Sequence, residues 1–417
     1  MSSLKADGEA AKIAASKGED RKEAPSAMEP LVLSEGSKHR GKLNDLALEL
    51  TASSAGFRRS LPVGIVSALA DLVRAMNCYY SNLIEGHHTH PVDIERAMKN
   101  DYSADPEKRN LQLEARAHVA VQQWVDQGAI KGTVSTSGSI CEIHRRFSEL
   151  LPEELLVVSD PDTGKKVKVV AGEFRKDDVQ VGRHLAISPG AVARFMDRFE
   201  EVYSRLGRSE TILGAAAAHH RLLWIHPFAD GNGRVARLMS HASMLETLDT
   251  GSIWSIARGL ARNAAVYKQD LMDCDSERRG DLDGRGNLSE SALADFTEFF
   301  LQTCLDQVRF MEQLVQPDRL RDRILVWTEE EVRGGLLPPR SGQVLEAVLY
   351  RGELPRSDVP GLLGASERAA RRVVAALLER GVLAAHSTRA PLTITFPAVL
   401  AARWMPGLFP EKTGPSD

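Results

Sequence analysis

One stretch of the chain decides how the rest is interpreted: Ile225-His226-Pro227-Phe228-Ala229-Asp230-Gly231-Asn232-Gly233-Arg234-Val235-Ala236-Arg237. The segment before it, Thr211 to Trp224, is an apolar run rich in Ala and Leu that predicts a helix. The segment after it, Val235 to about Leu248, predicts a second helix. The stretch is therefore predicted to be a loop between two helices, with a Gly-Asn-Gly sequence where the second helix starts.

The residue types around this helix start suit a phosphate ligand. The first backbone N–H groups of a helix have no partner inside the helix, and the helix dipole adds positive potential there. Gly231 and Gly233 let a ligand approach the backbone closely, so the turn can act as an anion nest. Arg234 and Arg237 are three residues apart and can face the same ligand with planar guanidinium groups.

Two further residues of the stretch bring chemistry to this nest. Asp230 offers a hard oxygen ligand, through which Mg²⁺ would bridge to a pyrophosphate. His226 titrates near neutrality and can take a proton from an attacking hydroxyl. The alternative interpretation is a glycine-rich capping loop with an incidental histidine.

The whole stretch resembles the signature of the Fic (Fic/Doc) family, H-P-F-x-[DE]-G-N-G-R-x-x-R, at every position. The resemblance implies a protein adenylyltransferase, which transfers AMP from ATP to a Ser, Thr or Tyr hydroxyl of a target protein. It implies these roles: His226 is the base, Asp230 holds Mg²⁺ (or Mn²⁺), Gly231, Asn232, Gly233 and Arg234 bind phosphate oxygens, and Arg237 clamps the γ-phosphate. Weaker matches place Asn263 and Tyr267 at the adenosine pocket, although Tyr267 suits a core position equally well.

A predicted helix from about Val63 to Ile84 ends in a second pattern, Ser81-x-x-x-Glu85-Gly86. Ser81 and Glu85 are four residues apart and share a face, and Gly86 is a natural residue to follow a helix. Because the helix dipole disfavours a carboxylate at this end, Glu85 is expected to have a cationic partner. The pattern resembles the family's inhibitory helix, [ST]-x-x-x-E-[GN], which implies that Glu85 pairs with Arg237 and inhibits the enzyme. A solvated surface glutamate is the alternative.

The region between about Val157 and Ile187 predicts β-structure. A turn signal at 160–164 lies between two apolar runs, which favours a hairpin. The segment that follows, Gly172-Glu173-Phe174-Arg175 with Val179-Gln180-Val181-Gly182, resembles the family's β-hairpin flap. Such a flap positions an extended target segment through main-chain hydrogen bonds. An ordinary surface hairpin is the alternative.

Composition favours a soluble protein with two or three domains. The chain has 417 residues, of which 43% are hydrophobic and 26% charged. A net charge of −4 gives no general attraction to nucleic acid or membrane. The four cysteines have neither disulfide nor zinc spacing, and no apolar run of about 18 residues is present. We therefore expect a cytoplasmic protein without a membrane partner.

The predicted fold is mainly α, a Fic helical core with a small β-flap and a C-terminal winged-helix-like domain. The predicted segments are a disordered tail (1–38), N-terminal helices that include the inhibitory helix (39–100), the Fic core (101–315), a linker (316–339) and the winged-helix-like domain (340–410). Three short helices and a hairpin predict the last domain, whose Arg368, Arg371 and Arg372 suit DNA contact. Dimerisation and protein docking remain open for it.

Two other functions stay open on the sequence. In the first, Glu85 aligns a water that removes AMP from a modified target, with His226 as the acid. In the second, the C-terminal domain binds DNA and the Fic core senses a nucleotide. The expected partners are a target protein, the chain itself through self-modification, a second copy in a homodimer, and DNA. The target and the preferred nucleotide are left undetermined.

Overall fold

The computed structural model describes residues 12–17, 19–159 and 164–410, and the chain is mainly α-helical, as predicted. The helices are α1 (Arg40–Arg59), α2 (Val63–Ile84), α3 (Pro91–Met98), α4 (Pro106–Asp126), α5 (Ser137–Glu149), α6 (Val192–Tyr203), α7 (Arg208–Ile225), α8 (Asn232–Leu248), α9 (Ala257–Arg262), α10 (Ala264–Cys274), α11 (Glu290–Leu314), α12 (Pro317–Arg333), α13 (Ser341–Arg351), α14 (Val359–Leu363), α15 (Glu367–Glu379) and α16 (Ala401–Trp404).

The described strands form small antiparallel sheets. The strands are β1 (Lys12–Lys17), β2 (Val157–Ser159), β3 (Lys166–Lys168), β4 (Asp177–Val181), β5 (His184–Leu185), β6 (Leu383–Ala384) and β7 (Thr393–Ile394). One sheet has the order β1-β4-β5, and the other two are the pairs β2-β3 and β6-β7. The predicted hairpin before the flap is thus present as β2 and β3, although residues 160–163 of its turn lie outside the described residues.

The chain divides into two compact units. The first unit comprises Met1–Ser54, Asn77–Thr250 and Ser255–Gln307, and the second comprises Ala55–Met76, Gly251–Trp254 and Val308–Asp417. In the first unit α7 packs against α8. Residues on every side of α7 are buried, as expected for a helix that is apolar all round and lies in a core. This pair of helices carries the Ile225–Arg237 stretch between them.

The second unit contains a helix where the sequence predicted a linker. Residues 317–333 form α12, which begins with a proline at its first turn. Leu320, Ile324 and Trp327 recur at helical spacing and are buried, and Trp327 meets Trp404 edge to face, with ring centroids 5.2 Å apart. The linker prediction was wrong because the many charges of this segment occupy one helix face and leave an apolar stripe on the other.

The same unit ends in the order of elements that the sequence predicts. Helices α13, α14 and α15 precede the short hairpin β6-β7, in which Leu383 pairs with Ile394. Ser366 caps α15 by accepting a hydrogen bond from the N–H of Ala369 at 3.4 Å. The winged-helix assignment itself stays a prediction.

The described part of the N-terminal segment, residues 12–17 and 19–38, is folded onto the first unit, in contrast to the predicted disordered tail. A 3-10 helix spans Pro25–Met28, and Met28 is fully buried. The carbonyl of Leu31 accepts a 2.6 Å hydrogen bond from the hydroxyl of Tyr203, and the carbonyl of Pro30 accepts one of 2.9 Å from buried Arg221. Composition did not reveal these partners, because each lies far along the chain. Residues 1–11 and 18 lie outside the described residues.

Within the described residues no single helix is long and apolar enough to cross a membrane. The pair α1 and α2, which is sharply bent at its junction, reaches that length and apolar content only if its two helices are counted as one.

Candidate active site

The loop between α7 and α8 is closed by its own asparagine. Helix α7 ends at His226, whose φ of 51° is left-handed, and α8 begins after Gly231, whose φ of 82° favours glycine. The side chain of Asn232 accepts a 3.0 Å hydrogen bond from the N–H of Phe228 and donates one of 2.9 Å to its carbonyl. The side chain of Asn232, predicted to bind phosphate oxygens, is therefore engaged within the loop, which leaves its backbone N–H as the group for an anion.

His144 packs against this loop and helps to hold it in place. Its ring stacks on the buried ring of Phe228, with centroids 3.9 Å apart and planes 1° from parallel. Its Nδ1 accepts a 2.9 Å hydrogen bond from the N–H of Gly172. Burial lowers the pKa of His144 to about 4, so the ring is neutral and suits a structural position.

The geometry of His226 fits a proton acceptor. Its Nδ1 lies 3.3 Å from the carbonyl of Leu223, which can only accept, so Nδ1 carries the proton and Nε2 is left as the acceptor. Burial, assisted by the positive charge of Arg175, lowers the pKa of His226 to about 3. The imidazole is consequently neutral at physiological pH, which is the state that a general base requires.

Arg175 holds the flap segment against the motif. Its Nε donates to the carbonyl of His226 at 2.7 Å, and its backbone N–H donates to the carbonyl of Pro227 at 2.9 Å. The side chain is buried, and burial lowers the pKa of the guanidinium to about 10. The sequence did not predict this role for Arg175 beyond its place in the flap pattern, because its contacts with the motif are to backbone carbonyls that lie far along the chain.

The start of α8 presents donors to the cleft. The N–H of Val235 makes the first helical hydrogen bond, to the carbonyl of Gly231 at 3.0 Å. The N–H groups of Asn232, Gly233 and Arg234 therefore precede the helical ladder and are available to an anion. Asp230 lies exposed beside them and lines the same cleft.

This arrangement fits a magnesium ion that is bound together with a nucleotide. Among the described residues no group of three or more His, Cys, Asp or Glu side chains could hold an ion by itself. Mg²⁺ typically uses one or two carboxylates and completes its shell with substrate phosphates and water. The single exposed carboxylate of Asp230, next to the phosphate nest, meets that requirement.

Arg237 is engaged by the end of α2, as predicted. Its Nε donates to Ser81 Oγ at 2.8 Å, one terminal nitrogen donates to the Ser81 carbonyl at 3.3 Å, and the same nitrogen contacts Glu85 Oε1. The Arg237 side chain is 2% exposed. Gly86 has a φ of 83°, consistent with its predicted place after the helix. A Cβ atom at Gly233 would collide with Glu85 Oε1, so this carboxylate lies directly over the nest.

Arg234 lies beside this pair with its charge facing three carboxylates. It is 7% exposed, its guanidinium lies 4.9 Å from the centre of the Phe147 ring, and one terminal nitrogen lies 3.9 Å from Glu114 Oε1. Its Nε has no hydrogen-bond partner within the described residues. Burial disfavours the charge, but Glu114, Asp230 and Glu85 raise the pKa of Arg234 above its ordinary value. The site therefore holds a buried cation whose Nε–H has no acceptor among the described residues.

Two residues that the sequence did not single out complete this charged cluster. His87 Nδ1 lies 2.7 Å from Glu114 Oε2, and His87 follows directly after the Glu85-Gly86 turn. The hydrogen bond to Glu114 raises the pKa of His87, and it also helps to keep the pKa of buried Glu114 below its usual value. The signal that could have indicated Glu114 is its helical spacing to Val121 and Val125 of α4, because a glutamate on such an apolar face needs a partner.

Groups from the Ile225–Arg237 stretch and from the turn after α2 line one cleft of about 430 Å³. Its lining includes Glu85, His87, Glu114, Val181, His184, His226, Asp230, Gly231, Asn232, Gly233, Arg234, Arg237 and Tyr267. Tyr267 is 2% exposed, and its hydroxyl lies 2.6 Å from His219 Nε2, so it belongs to the core as much as to the cleft. Asn263 is absent from the lining. It is exposed and its side chain donates to the carbonyl of Gly259 at 2.9 Å, and its place in a nucleotide pocket stays a prediction.

The predicted flap is the hairpin of β4 and β5. Gln180 pairs with Leu185 and Val181 with His184, across a turn in which Gly182 has a φ of 57°. Val181 and His184 line the cleft, and Val179 is buried. His184 Nε2 lies 2.8 Å from the carbonyl of Trp224 at the end of α7. The hairpin is thus fixed beside the motif loop.

Comparisons with known proteins converge on one family. Residues 135–244 match the family model described as Fic/DOC family. Proteins named Protein adenylyltransferase Fic from Drosophila mojavensis and Drosophila melanogaster are 30% and 29% identical over 169 residues, which cover 40% of this chain and 31% of each relative. The chain therefore spans less than a third of the length of these relatives. A crystal structure of a Fic family protein from Desulfovibrio desulfuricans G20 has a TM-score of 0.49 and 17% identity, and the alignment covers 84% of this chain and 96% of that chain.

Proposed function

We propose that this chain, whose residues 135–244 belong to the Fic/DOC family, transfers AMP from ATP to a Ser, Thr or Tyr hydroxyl of a protein. One observation supports the proposal most: a neutral histidine, the open start of α8 and two buried arginines all face the same cleft. Each of these groups matches one requirement of phosphate transfer, which depends on positioning and electrostatic stabilisation.

In the proposed reaction the nucleotide phosphates lie on the N–H groups of Asn232, Gly233 and Arg234. The target hydroxyl gives its proton to His226 Nε2 and its oxygen attacks the α-phosphorus. The bond between the α-phosphorus and the bridging oxygen breaks, and pyrophosphate leaves. The charge that develops on the phosphates is stabilised by the helix start and by the guanidinium of Arg234. A Mg²⁺ ion held by Asp230 would supply further charge neutralisation on the phosphates.

We further propose that Glu85 keeps this site inhibited. Arg237 is the group that would hold the γ-phosphate, and Glu85 and Ser81 take up its donors. The attraction of Arg237 and Arg234 outweighs burial and lowers the pKa of Glu85, so the carboxylate stays charged and competes with phosphate. A nucleotide that binds without this clamp would place its α-phosphorus out of line. Misplacement of this size can cost about a hundredfold in rate.

Removal of AMP by the same site is the alternative reaction. It requires Glu85 to align a water molecule, whereas Glu85 contacts the guanidinium of Arg237. This contact favours the inhibitory role, although both reactions would use His226. Incubation of an AMP-labelled target with wild type and with Glu85→Gly separates them, because only a hydrolytic role predicts slower removal by the variant.

For the C-terminal residues we propose contact with duplex DNA as a separate role. Its support is the exposure of Arg368, Arg371 and Arg372 on the single helix α15, within the predicted winged-helix-like segment 340–410. The role of this helix is tested by the salt dependence described in the Discussion.

The decisive experiment compares wild type, Glu85→Gly and Glu85→Gly with His226→Ala. Each is incubated with ATP labelled at the α-phosphate, and protein-bound label is measured. Glu85→Gly is expected to incorporate about a hundredfold more label than wild type, and the double variant should incorporate almost none. ATP labelled at the γ-phosphate is the control, since AMP transfer leaves that label in pyrophosphate. Parallel reactions with GTP, UTP and CTP determine the nucleotide. Equal labelling by all three folded proteins would refute the proposal.

A further inference from the structure

The flap strand β4 is already paired along both of its edges. One edge binds β5, and the other binds β1, the strand Lys12–Lys17 from near the N-terminus. Lys12 pairs with Gln180, Ile13 with Val179 and Ala14 with Asp178, followed by an irregularity before Lys17 pairs with Asp177. This edge of β4 includes the residues expected to position a target by main-chain hydrogen bonds. A foreign strand therefore meets an edge that the chain itself occupies.

An ionic anchor directly after β1 holds this segment in place. One terminal nitrogen of Arg21 donates to both carboxylate oxygens of Asp178 at 3.0 Å, and the other donates to the carbonyl of Ala186 at 3.2 Å. Asp178 lies in β4 and is 3% exposed, so the contact is shielded from solvent on one side. Pairs of this kind combine charge with directional hydrogen bonds. The segment is thus attached to the same strand with which it pairs.

Glu23 and Asp20, on either side of Arg21, make further contacts that hold this segment in place. Glu23 accepts a 2.9 Å hydrogen bond from the N–H of Ser188 and one of 2.6 Å from its hydroxyl. These bonds help to lower the pKa of Glu23 although its partial burial acts in the opposite direction. Arg194 donates to both carboxylate oxygens of Asp20, at 2.9 and 3.0 Å. Three anchors, at positions 20, 21 and 23, therefore attach the segment to the flap region and to the helix α6 that follows it.

We propose that residues 12–17, anchored through residues 20–23, are an intramolecular occupant of the outer edge of β4, which an extended protein segment must displace before it pairs with the flap. The claim that targets dock at this edge rests on the proposed adenylyltransferase function. The pairing of β1 with this edge does not depend on that function. The contact of Arg21 with Asp178 also defines the class of competitor: an extended segment with a basic residue a few positions beyond the strand. This control acts on the target and is separate from Glu85, which acts on the nucleotide.

The occupancy is tested with the full-length double variant Ile13→Pro with Ala14→Pro. Proline has no N–H, and because two adjacent residues of a strand point their N–H groups to opposite sides, one of the two changes removes a bond to β4 whichever residue donates it. The control variant Ile13→Val with Ala14→Ser keeps every N–H group. Amide hydrogen exchange of residues 177–181 should become faster in the proline variant only, while exchange in α7 and α8 stays unchanged.

A peptide with the sequence of residues 12–23, carrying a fluorophore, is the binding probe. It should bind the proline variant, raise its fluorescence anisotropy and restore protection of residues 177–181, whereas wild type and the control variant should bind at least tenfold more weakly because their edge is filled. A peptide with Arg21→Ala should bind the proline variant more weakly than the parent peptide.

Unchanged exchange of residues 177–181 in the proline variant, or equal peptide binding by all three proteins, would overturn the inference. Neither measurement needs ATP, so a failure of AMP transfer can be recognised separately. The link to target selection is then examined in the Glu85→Gly background. There the proline changes should increase AMP transfer to the added peptide, which contains Ser16, and the control changes should leave it as it is.

Discussion

The arginines of α8 and those of α15 show how differently the same side chain is used in the two units of this chain. Arg234 and Arg237 are almost entirely buried and face carboxylates contributed by helices earlier in the sequence. Arg368 and Arg371 are exposed, and the partner of Arg371 is Glu367, one turn away on its own helix. Burial strengthens electrostatic interactions and limits the ligands that fit, whereas exposed pairs are screened by water and salt.

Burial therefore indicates where large functional effects should be expected. A buried guanidinium needs an anion, and the only question is whether Glu85 or a phosphate supplies it. An exposed guanidinium is stable without one, so its partner is optional and weakly specified. Changes in the cleft should therefore alter reaction rates strongly, and changes on α15 should alter only salt-sensitive binding.

The largest effect is expected for His226. In the Glu85→Gly background, His226→Ala should lower AMP transfer by about 10² to 10⁴-fold, because no other group takes the proton of the target hydroxyl. ATP affinity, measured by calorimetry, should stay within a few fold since the nest and the arginines remain. Full transfer activity in this variant would remove the histidine from the reaction.

The low pKa of His226 adds a pH criterion in the same background. Because its pKa is about 3, the neutral base is present at every pH above that value, and acidification from about pH 8 to about pH 6 should not protonate it. The rate of the Glu85→Gly variant should therefore show no fall with an apparent pKa near 6.5. Such a fall would mean that the bound nucleotide returns His226 to its ordinary pKa.

A smaller but still large effect is expected for Arg237. Arg237→Ala in the Glu85→Gly background should remove most of the gain, about ten to a hundredfold, because a charge-assisted hydrogen bond to the γ-phosphate is lost. Arg237→Lys should recover only part of it, since an ammonium lacks the planar fork. Circular dichroism confirms that both variants fold. An undiminished rate in Arg237→Ala would separate the inhibitory contact from the catalytic clamp.

A change of a few fold is expected from His87. The pKa of His87 is raised by Glu114, so the charged pair is present below that pKa and is lost as pH rises through it. Because the pair fastens the turn after Glu85 to α4, inhibition should weaken at high pH. The ratio of the Glu85→Gly rate to the wild-type rate should fall with rising pH, and His87→Gln should make it nearly constant. If this ratio did not change with pH while His87 is present, the contact between His87 and Glu114 would have no part in the inhibition.

The smallest effect is expected on α15. Replacing Arg368, Arg371 and Arg372 by Ala should change the free energy of unfolding by no more than about 0.5 kcal/mol per residue. If the helix contacts duplex DNA, binding should weaken steeply with salt in wild type and the salt slope should fall by about one for each arginine removed. No binding at low salt would leave this helix without a nucleic-acid role, and it would sharpen the contrast with α8.

Local patterns predicted much of this molecule. The helix Val63–Ile84 has the predicted bounds, and the dipole argument predicts a cationic partner for Glu85, which the resemblance to the inhibitory helix identifies as Arg237. The loop around Gly231 was equally accessible, since a glycine between two helical patterns predicts an unusual backbone conformation.

The remaining features depend on residues that meet only in the folded chain. Nothing near His87 indicates Glu114, and nothing near Arg21 indicates Asp178, because each pair joins segments from different elements. The hydrogen bonds of Asn232 were missed for a different reason: an amide can bind either a phosphate or its own loop, and sequence does not distinguish the two. The folded backbone of residues 19–38 and the helix α12 were not predicted, because both segments are rich in charged residues and have only a few apolar positions that pack.

Because position 233 is a glycine, the Glu85 carboxylate and a nucleotide phosphate would approach the same stretch of backbone and compete for one space. The carboxylate of Glu85 fills the space where a methyl group would be, and a nucleotide phosphate needs to approach the same backbone. Under the proposed function, a side chain at 233 would crowd both the Glu85 carboxylate and a phosphate, so substitutions there are expected to weaken inhibition and nucleotide binding together. Mutational release from the proposed inhibition is therefore expected at the other end of the contact, at Glu85 and Ser81.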